Sequence, residues 1–137
     1  MAEDLKEIRR QKLAELRNRT ETGGSEDTVS RSPSEPLHIT GETELSKTVG
    51  GYDVVLVDFY ADWCGPCQML EPVVETIAAE TNASVAKVDI DANQQVAAEY
   101  GVRSVPTLVL FADGQPVERL VGMQDESRLR TVIENHT

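Results

Sequence analysis

Residues 54–61 restrict the fold more than any other stretch of this 137-residue chain. Their sequence, Val-Val-Leu-Val-Asp-Phe-Tyr-Ala, is nearly all apolar, which is typical of a central strand buried on both faces of its sheet. Burying both faces requires a layer of helices on each side. Because strand and helix patterns alternate along the following sequence, we predict an α/β fold in which helices flank both faces of a central mixed sheet.

Four further strands and four helices are predicted around this segment. The last two strands are joined by Asp113-Gly114, a strong signal for a tight hairpin turn. Thr40 is the expected N-cap of the first helix, and Asp91 that of the third, with Gln94 in the capping-box position. The predicted strands are residues 37–40, 84–90, 106–112 and 116–121, and the predicted helices are residues 41–49, 67–79, 91–100 and 125–135.

The folded domain is predicted to cover residues 37–137. Residues 1–20 are dense in charge, and their large apolar residues fall on one arc of a helix, so an amphipathic helical extension is expected there. It is either a solvated tail or an arm that docks on a partner. Residues 21–36 are rich in Thr, Ser, Glu, Gly and Pro and are predicted to form a flexible linker.

The chain is strongly acidic, with 24 acidic against 13 basic side chains and a formal net charge of −11. A field of this sign repels nucleic acid and anionic lipid, so neither is an expected partner. Only four of the basic residues are lysines, and acid-rich, lysine-poor surfaces suit the high-salt cytoplasm of a halophilic archaeon. An ordinary acidic protein is the alternative. No apolar run reaches the roughly 20 residues of a membrane span, and the charged N-terminus has no signal core. A cytoplasmic location is therefore expected.

Both cysteines of the chain lie in Trp63-Cys64-Gly65-Pro66-Cys67, directly after the apolar strand. At the start of the predicted helix the two thiols share one turn, where unpaired N–H groups and the helix dipole favour thiolate over thiol. Thiolate is the nucleophile in disulfide exchange. Cys64, at the more exposed edge of the helix, is the expected attacking nucleophile, and Cys67 is the expected resolving thiol that breaks the mixed disulfide.

A metal site and an inert structural disulfide are the alternatives for this cysteine pair. A zinc site needs about four ligands, but His38 and His136 are not at ligand-pair spacing. A disulfide that closes so short a loop contributes little stability. We therefore expect a redox-active Cys64–Cys67 pair that uses no metal and no other cofactor.

Asp58 interrupts the apolar strand six residues before Cys64. Burial of its carboxyl would raise its pKa toward the range that is useful for proton transfer. The functional interpretation is a base that helps to deprotonate Cys67, and the alternative is an Asp whose side chain reaches solvent. Lys87 also interrupts an apolar strand and is interpreted either as the ionic neighbour of Asp58 or as a surface lysine.

Val105-Pro106 opens a predicted strand. A proline there removes a hydrogen-bond donor from the sheet, and a cis bond would leave the backbone of Val105 free to pair with an extended substrate. An ordinary trans proline at a strand start is the alternative. Trp63, the only tryptophan, precedes the reactive cysteine and is interpreted as part of an apolar docking surface. A core position is the alternative for this residue.

Together these motifs resemble the thioredoxin family. The resemblance covers about residues 37–137 and rests on Val-Asp-Phe-Tyr-Ala-Asp-Trp-Cys-Gly-Pro-Cys (57–67), Tyr-Gly-Val-Arg-Ser-Val-Pro-Thr (100–107) and Leu-Phe-Ala-Asp-Gly (110–114), with Pro72 and Lys87-Val-Asp between them. Cys-Gly-Pro-Cys is the thioredoxin form of the motif, distinct from the Cys-Pro-Tyr-Cys of glutaredoxins and the Cys-Gly-His-Cys of disulfide isomerases.

The resemblance implies the thioredoxin fold, with five strands and four helices, and a protein-disulfide reductase that serves cell redox homeostasis. It implies that Asp58 is a buried acid–base group with Lys87 as its partner. It also implies a cis peptide bond before Pro106. A thioredoxin reductase would recycle the oxidised form, and disulfide-containing proteins would be the substrates. The residues implied to line the substrate surface are Trp63, Gly65, Pro66, Val105, Pro106 and Gly122.

Three features depart from the family pattern. Gln68 follows the motif where many members have Lys, which removes one source of thiolate stabilisation. Ser104 stands before Val105 where Gly is common, and the N-terminal 36 residues have no counterpart in a minimal member. Two other functions stay open: an oxidising or isomerising enzyme on the same fold, against which the Gly-Pro pair argues, and a non-catalytic binding module that uses the N-terminal helix.

Overall fold

The computed structural model describes residues 33–137. The helix predicted for residues 1–20 and most of the linker predicted for residues 21–36 lie outside this range. No helix within it combines the length and the apolar character that a membrane crossing needs. The described elements are β1 (Leu37–His38), α1 (Gly41–Gly51), β2 (Val54–Tyr60), α2 (Gly65–Glu80), β3 (Ser84–Asp89), α3 (Gln94–Glu99), β4 (Thr107–Ala112), β5 (Gln115–Val121) and α4 (Glu126–Glu134).

The strands of the described region form one mixed sheet in the order β1-β3-β2-β4-β5, with β2 at its centre. β2 is parallel to β3 and antiparallel to β4, and the outer strands β1 and β5 are parallel and antiparallel to their neighbours, respectively. The predicted five-stranded mixed sheet is confirmed. The apolar 54–61 segment supplies the central strand, whose residues pack in the cores on both faces of the sheet.

The hairpin between β4 and β5 turns at Asp113 and Gly114, as the sequence predicts. Both residues have positive φ, 52° and 82°, which is the backbone conformation that a two-residue type I′ turn requires. Asp is one of the few residues besides glycine that tolerate this region. The turn therefore fixes the register in which Ala112 faces Gln115.

Alternate residues of β2 contribute to two separate cores, one on each face of the sheet. From β2, the core under α2 and α4 takes Val54 and Leu56, and the core under α1 and α3 takes Val55, Val57 and Phe59. By the same alternation Asp58 lies on the α2 side. The sheet therefore presents this carboxyl to the helix that begins at the cysteine motif.

The third helix begins later than predicted, and Asp91 is not its N-cap. α3 starts at Gln94 after Asn93, because the N–H of Asp91 donates to Asp89 Oδ1 at 2.9 Å within a turn that precedes the helix. Asn93 does not cap α3 with its side chain either. Its Oδ1 accepts the N–H of Gly41 at 2.7 Å, and its Nδ2 donates to the carbonyl of Asp89 at 3.0 Å. The Asn93 amide thus ties the start of α1 to the end of β3.

Thr40 is the N-cap residue of α1, as predicted, but its side chain makes no capping hydrogen bond. Its own N–H donates to Glu44 Oε1 at 2.6 Å. The acidic side chain in the first turn thus satisfies the N-cap donor, from one position beyond the N3 residue that does so in a capping box.

We predict that Asn93→Ala lowers the free energy of unfolding by about 1–3 kcal/mol, because it removes two hydrogen bonds and leaves their backbone partners unsatisfied in a mostly buried site. Urea denaturation of the oxidised protein measures the change. Asn82→Ala, a substitution of an exposed asparagine, is the matched control and should change stability little. Equal losses in the two variants would contradict the bridging role of the Asn93 amide.

Candidate active site

The two cysteines form a disulfide at the N-terminal end of α2. Cys64 is the N-cap residue, and its Sγ accepts a hydrogen bond from the N–H of Cys67 at 3.1 Å. Gly65 and Pro66 occupy the first helical positions between them. In this oxidised state both cysteines are buried, with exposures of 4% and 2%, so the expected difference in exposure is small. The backbone donor and the helix dipole both favour negative charge on Cys64 Sγ once the disulfide is reduced.

The loop before β4 lies against the disulfide. Val105 packs on the cluster formed by the two cysteines and Ala61, and the Val105–Pro106 peptide bond is cis. The carbonyl of Pro106 accepts the N–H of Gly122 at 2.8 Å, where the chain adopts a φ of +90° that favours glycine. Within residues 33–137 no backbone hydrogen bond uses the N–H or carbonyl of Val105. Val105 thus leaves a free backbone edge beside the sulfurs.

Trp63 lies on the surface beside the motif, with 70% of its residue area exposed. Its ring is oriented by a hydrogen bond in which Nε1 donates to Asp91 Oδ2 at 2.9 Å. Gly65 and Pro66 are exposed as well. Other large apolar residues that are exposed in the described region are Met69, Val117, Val121 and Met123. The exposed indole and the two small motif residues give the disulfide an accessible, partly apolar rim.

Asp58 is completely buried in β2. Neither of its carboxyl oxygens has a hydrogen-bond partner among the described residues. Burial raises the pKa of Asp58 from 3.8 to about 6, although the Lys87 charge lowers it, and Glu71 raises it further. The alternative in which Asp58 reaches solvent is therefore excluded. A carboxyl with this pKa exchanges its proton near neutral pH.

Lys87 pairs with Asp58 in the β2–β3 register and is 1% exposed, so it is not a surface lysine. Its Nζ lies 3.6 Å from Asp58 Oδ2, an ion-pair distance that is too long for a hydrogen bond. The hydrogen bond of Lys87 goes instead to Glu71 Oε1 at 2.8 Å. The ammonium also lies 4.3 Å from the centre of the Tyr60 ring. Lys87 thus divides its interactions among two carboxylates and an aromatic face.

Three residues for which the sequence predicts no role in the site also belong to it: Glu71, Tyr60 and Asp91. Glu71 follows Cys67 by four residues on α2, a spacing that places both on one helix face. Tyr60 follows Asp58 by two residues on β2 and so shares its face of the sheet. These two spacings were available signals. The Trp63–Asp91 hydrogen bond depends on loop geometry and has no signal in the sequence.

The two residues that depart from the family pattern take part in local hydrogen bonds, Gln68 through its side chain and Ser104 through its backbone. Gln68 Nε2 donates to the carbonyl of Asp62 at 3.0 Å, and the carbonyl of Ser104 accepts from Thr107 Oγ1 at 2.7 Å. Gln68 supplies no positive charge near the sulfurs, so thiolate stabilisation depends on the helix end. In the part of the chain that the structure describes, no group of three or more His, Cys, Asp or Glu residues could hold a metal ion.

The thioredoxin family model matches residues 37–135. This chain belongs to the thioredoxin family. The thioredoxins of Chlamydia trachomatis and Staphylococcus aureus are each 51% identical to it, over 61% of this chain and 82% of theirs. Among solved structures, a mutant thioredoxin from Halobacterium salinarum is 63% identical with a TM-score of 0.77, covering 79% of this chain and 96% of that one. Plasmodium falciparum thioredoxin is 30% identical with a TM-score of 0.66, covering 74% and 99%.

Family membership and the cysteine pair establish the general activity. The chain is a thiol–disulfide oxidoreductase of the thioredoxin family, with the activity of a protein-disulfide reductase. Its fold is the thioredoxin fold, as expected. The similarity to the Halobacterium salinarum protein is consistent with the halophilic archaeal origin that the acidic, lysine-poor composition indicates.

We predict that Asp58→Asn stabilises the oxidised protein at neutral pH. The folded-state pKa of about 6 lies above the ordinary value of 3.8, so the stability that comes from the protonated carboxyl is fully present below about pH 4 and is lost as the pH rises through about 6. Asn has no ionised form, so it has no cost of burying a charge at neutral pH. The free energy of unfolding of Asp58→Asn should exceed that of the wild type by an amount that grows from near zero at about pH 4 to about 2–3 kcal/mol at about pH 7.

Urea unfolding of both proteins at the two pH values measures this difference. The control is Asp62→Asn, a change at an exposed aspartate four residues further on, and it should show no comparable pH dependence. An Asp58→Asn effect of the same size at both pH values would show that shape, and not buried charge, causes it.

Proposed function

We propose that this reductase works by two successive thiol–disulfide exchanges at Cys64 and Cys67. The Cys64 thiolate attacks one sulfur of a substrate disulfide, which forms a mixed disulfide and releases the first substrate thiolate. The Cys67 thiolate then attacks Cys64 Sγ, closes the Cys64–Cys67 disulfide and releases the second. Two electrons pass from the dithiol to the substrate, and two substrate thiols result. The observation that carries this assignment is the position of Cys64 Sγ at the end of α2, where it accepts the Cys67 N–H.

Asp58 is proposed as the base that takes the proton of the Cys67 thiol, through a water molecule, before Cys67 attacks. Its complete burial and its pKa of about 6 support this role, because a base with a pKa near the operating pH transfers protons most effectively. Lys87 is proposed as the charged partner that keeps the ionised form of Asp58 accessible, which its 3.6 Å separation supports.

The substrate is proposed to bind as an extended chain across the rim of the disulfide. The free backbone edge of Val105 supports pairing with the substrate backbone, and the exposed ring of Trp63 supports an apolar contact. The full set of residues proposed for this surface is Trp63, Gly65, Pro66, Val105, Pro106 and Gly122.

A thioredoxin reductase is the proposed partner that returns two electrons to the disulfide, and disulfide-containing proteins are the proposed substrates. No bound cofactor takes part in this scheme, since the cysteines carry the electrons themselves. The cytoplasm is the proposed location because its reducing poise favours the dithiol. The net charge of −11 argues against nucleic acid and anionic membranes as partners.

We predict that Cys64→Ser and Cys67→Ser both abolish turnover in dithiothreitol-coupled insulin reduction. Only Cys67→Ser should accumulate a stable mixed disulfide, because it retains the attacking sulfur and lacks the resolving one. Non-reducing gel electrophoresis and mass spectrometry detect the trapped species. Equal trapping by the two variants would refute the assigned roles. A reduction potential near about −180 mV, which is in the isomerase range, would refute the reductase direction.

We predict that Trp63→Ala raises the KM for insulin by about fivefold or more with little change in kcat, because an exposed aromatic at an interface contributes binding without touching the reacting sulfurs. The control is Val117→Ala, a change at an exposed apolar residue on β5. A matching rise in KM in the control, or a loss confined to kcat, would remove Trp63 from the substrate surface.

A further inference from the structure

The short hydrogen bond of Lys87 goes to Glu71 and not to Asp58, the residue that faces Lys87 in the β2–β3 register. Its Nζ is 2.8 Å from Glu71 Oε1 and 3.6 Å from Asp58 Oδ2. Both Asp58 oxygens lack hydrogen-bond partners among the described residues although the side chain is 1% exposed. A buried carboxyl beside a buried ammonium ordinarily forms a hydrogen bond with it, because the low dielectric strengthens the bond. Some other interaction therefore keeps the two apart.

Glu71 supplies that interaction from α2. Its side chain is 41% exposed, so its negative charge stays in contact with water while one oxygen reaches the buried ammonium. The Tyr60 ring, 4.3 Å from Nζ, attracts the same cation through its π face. Lys87 is thus held on three sides, and its shortest contact points away from the sheet toward the helix.

We infer that Glu71 is a positioning residue of disulfide reduction: it holds the Lys87 ammonium beyond hydrogen-bonding distance of Asp58 and so leaves the Asp58 carboxyl free to accept a proton. The inference rests on the acid–base role proposed for Asp58. Glu71, a half-exposed residue of α2, thus controls the protonation of Asp58 without a hydrogen bond to it.

Glu71 is also in a position to link this control to the cysteines. It lies one helical turn after Cys67, on the same face of α2. Together with Lys87 it lines a surface cavity of about 410 Å³, whose other walls are Ser34, Glu35, Pro36, His38 and Glu75. Lys87 and Glu71 line this cavity, whereas the buried Asp58 does not.

The titratable groups around Asp58 come from each element that packs near it. β3 contributes Lys87 and Asp89, α2 contributes Cys67, Glu71 and Glu75, β2 contributes Tyr60, β1 contributes His38, and β4 places the apolar Leu108 opposite Asp58. The charges that act on the Asp58 pKa are those of Lys87, which lowers it, and Glu71, which raises it. Removing Glu71 is expected to lower the pKa of Asp58 for two reasons. The negative charge of Glu71 disappears, and Lys87 is released toward Asp58.

The test is the titration of Asp58 in the full-length oxidised protein, in which neither cysteine titrates. The probe is the ¹³C resonance of the Asp58 carboxyl. For Glu71→Leu we expect the midpoint to fall by about one pH unit or more. Glu75→Leu removes the same charge from the same helix and cavity without a hydrogen bond to Lys87, and its midpoint should fall by less than about a third of that. An unchanged midpoint in Glu71→Leu, or equal shifts in both variants, overturns the inference.

The rate of mixed-disulfide resolution tests whether this positioning serves the reaction. In single-turnover experiments at neutral pH, Glu71→Leu should slow release of the second substrate thiol by about threefold or more, because a base of lower pKa accepts the Cys67 proton less readily. In an Asp58→Asn background the same substitution should have no further effect. Equal slowing in both backgrounds overturns the inference.

The titration of Asp58 and the rate of resolution together distinguish failure of this inference from failure of the proposed function. If Asp58→Asn alone leaves the resolution rate unchanged, the acid–base role of Asp58 is wrong, and the inference falls with it. If Asp58→Asn slows resolution while Glu71→Leu moves neither the midpoint nor the rate, the acid–base role stands and only the positioning role of Glu71 is refuted.

Discussion

A carboxyl group in the middle of a strand that is apolar on both faces is the constraint on which the site depends. Asp58 has no exposed surface and no hydrogen-bond partner among the described residues, so its ionised form is costly. β2 nonetheless holds it in place, because the apolar residues of this strand contribute to two separate cores. The same strand runs directly into the segment that carries Cys64. One element therefore fixes both the proton acceptor and the approach to the disulfide.

The arrangement of charges around Asp58 does not neutralise it. One buried ammonium, that of Lys87, faces two carboxylates, and the half-exposed Glu71 has the shorter contact. If Lys87 bonded Asp58 alone, the pair would be better satisfied, and the carboxyl would lose its proton at a much lower pH. The observed geometry stabilises the fold less but leaves Asp58 able to change protonation state near neutral pH. Sites that break a local rule of polar satisfaction in this way are commonly functional.

Much of the fold follows from local patterns, whereas the electrostatic details of the site do not. The all-apolar character of residues 54–61 predicted the central strand, and Asp113-Gly114 predicted the hairpin, because each depends on neighbouring residues alone. Asp91 was a wrong choice of helix cap, because the turn in which its N–H bonds to Asp89 competes with the capping box. Asn93 was then free to bridge to Gly41, 52 residues away in sequence, and no local pattern reports such a contact.

The site shows the same division between local and distant information. Both cysteines, Asp58 and Lys87 stand out in the sequence, because each breaks or follows an apolar run. Whether Lys87 is buried could not be decided, since a lysine in an apolar strand can also extend to solvent; the β2–β3 register decides it. The only signal for Glu71 was its spacing of four residues from Cys67, which did not set it apart among the sixteen acidic residues of 37–137. The roles of these residues in the reaction remain predictions.

The shortest strand of the sheet has a consequence for the N-terminal part of the chain. β1 is two residues long and pairs His38 with Lys87, and the residues just before it, Ser34 to Pro36, form a wall of the cavity that holds Lys87 and Glu71. The place where the N-terminal segment joins the domain is therefore also the place where water reaches the Lys87–Glu71 pair. A change in the packing of residues 34–36 would therefore change the surroundings of the Lys87–Glu71 pair, because one cavity borders both.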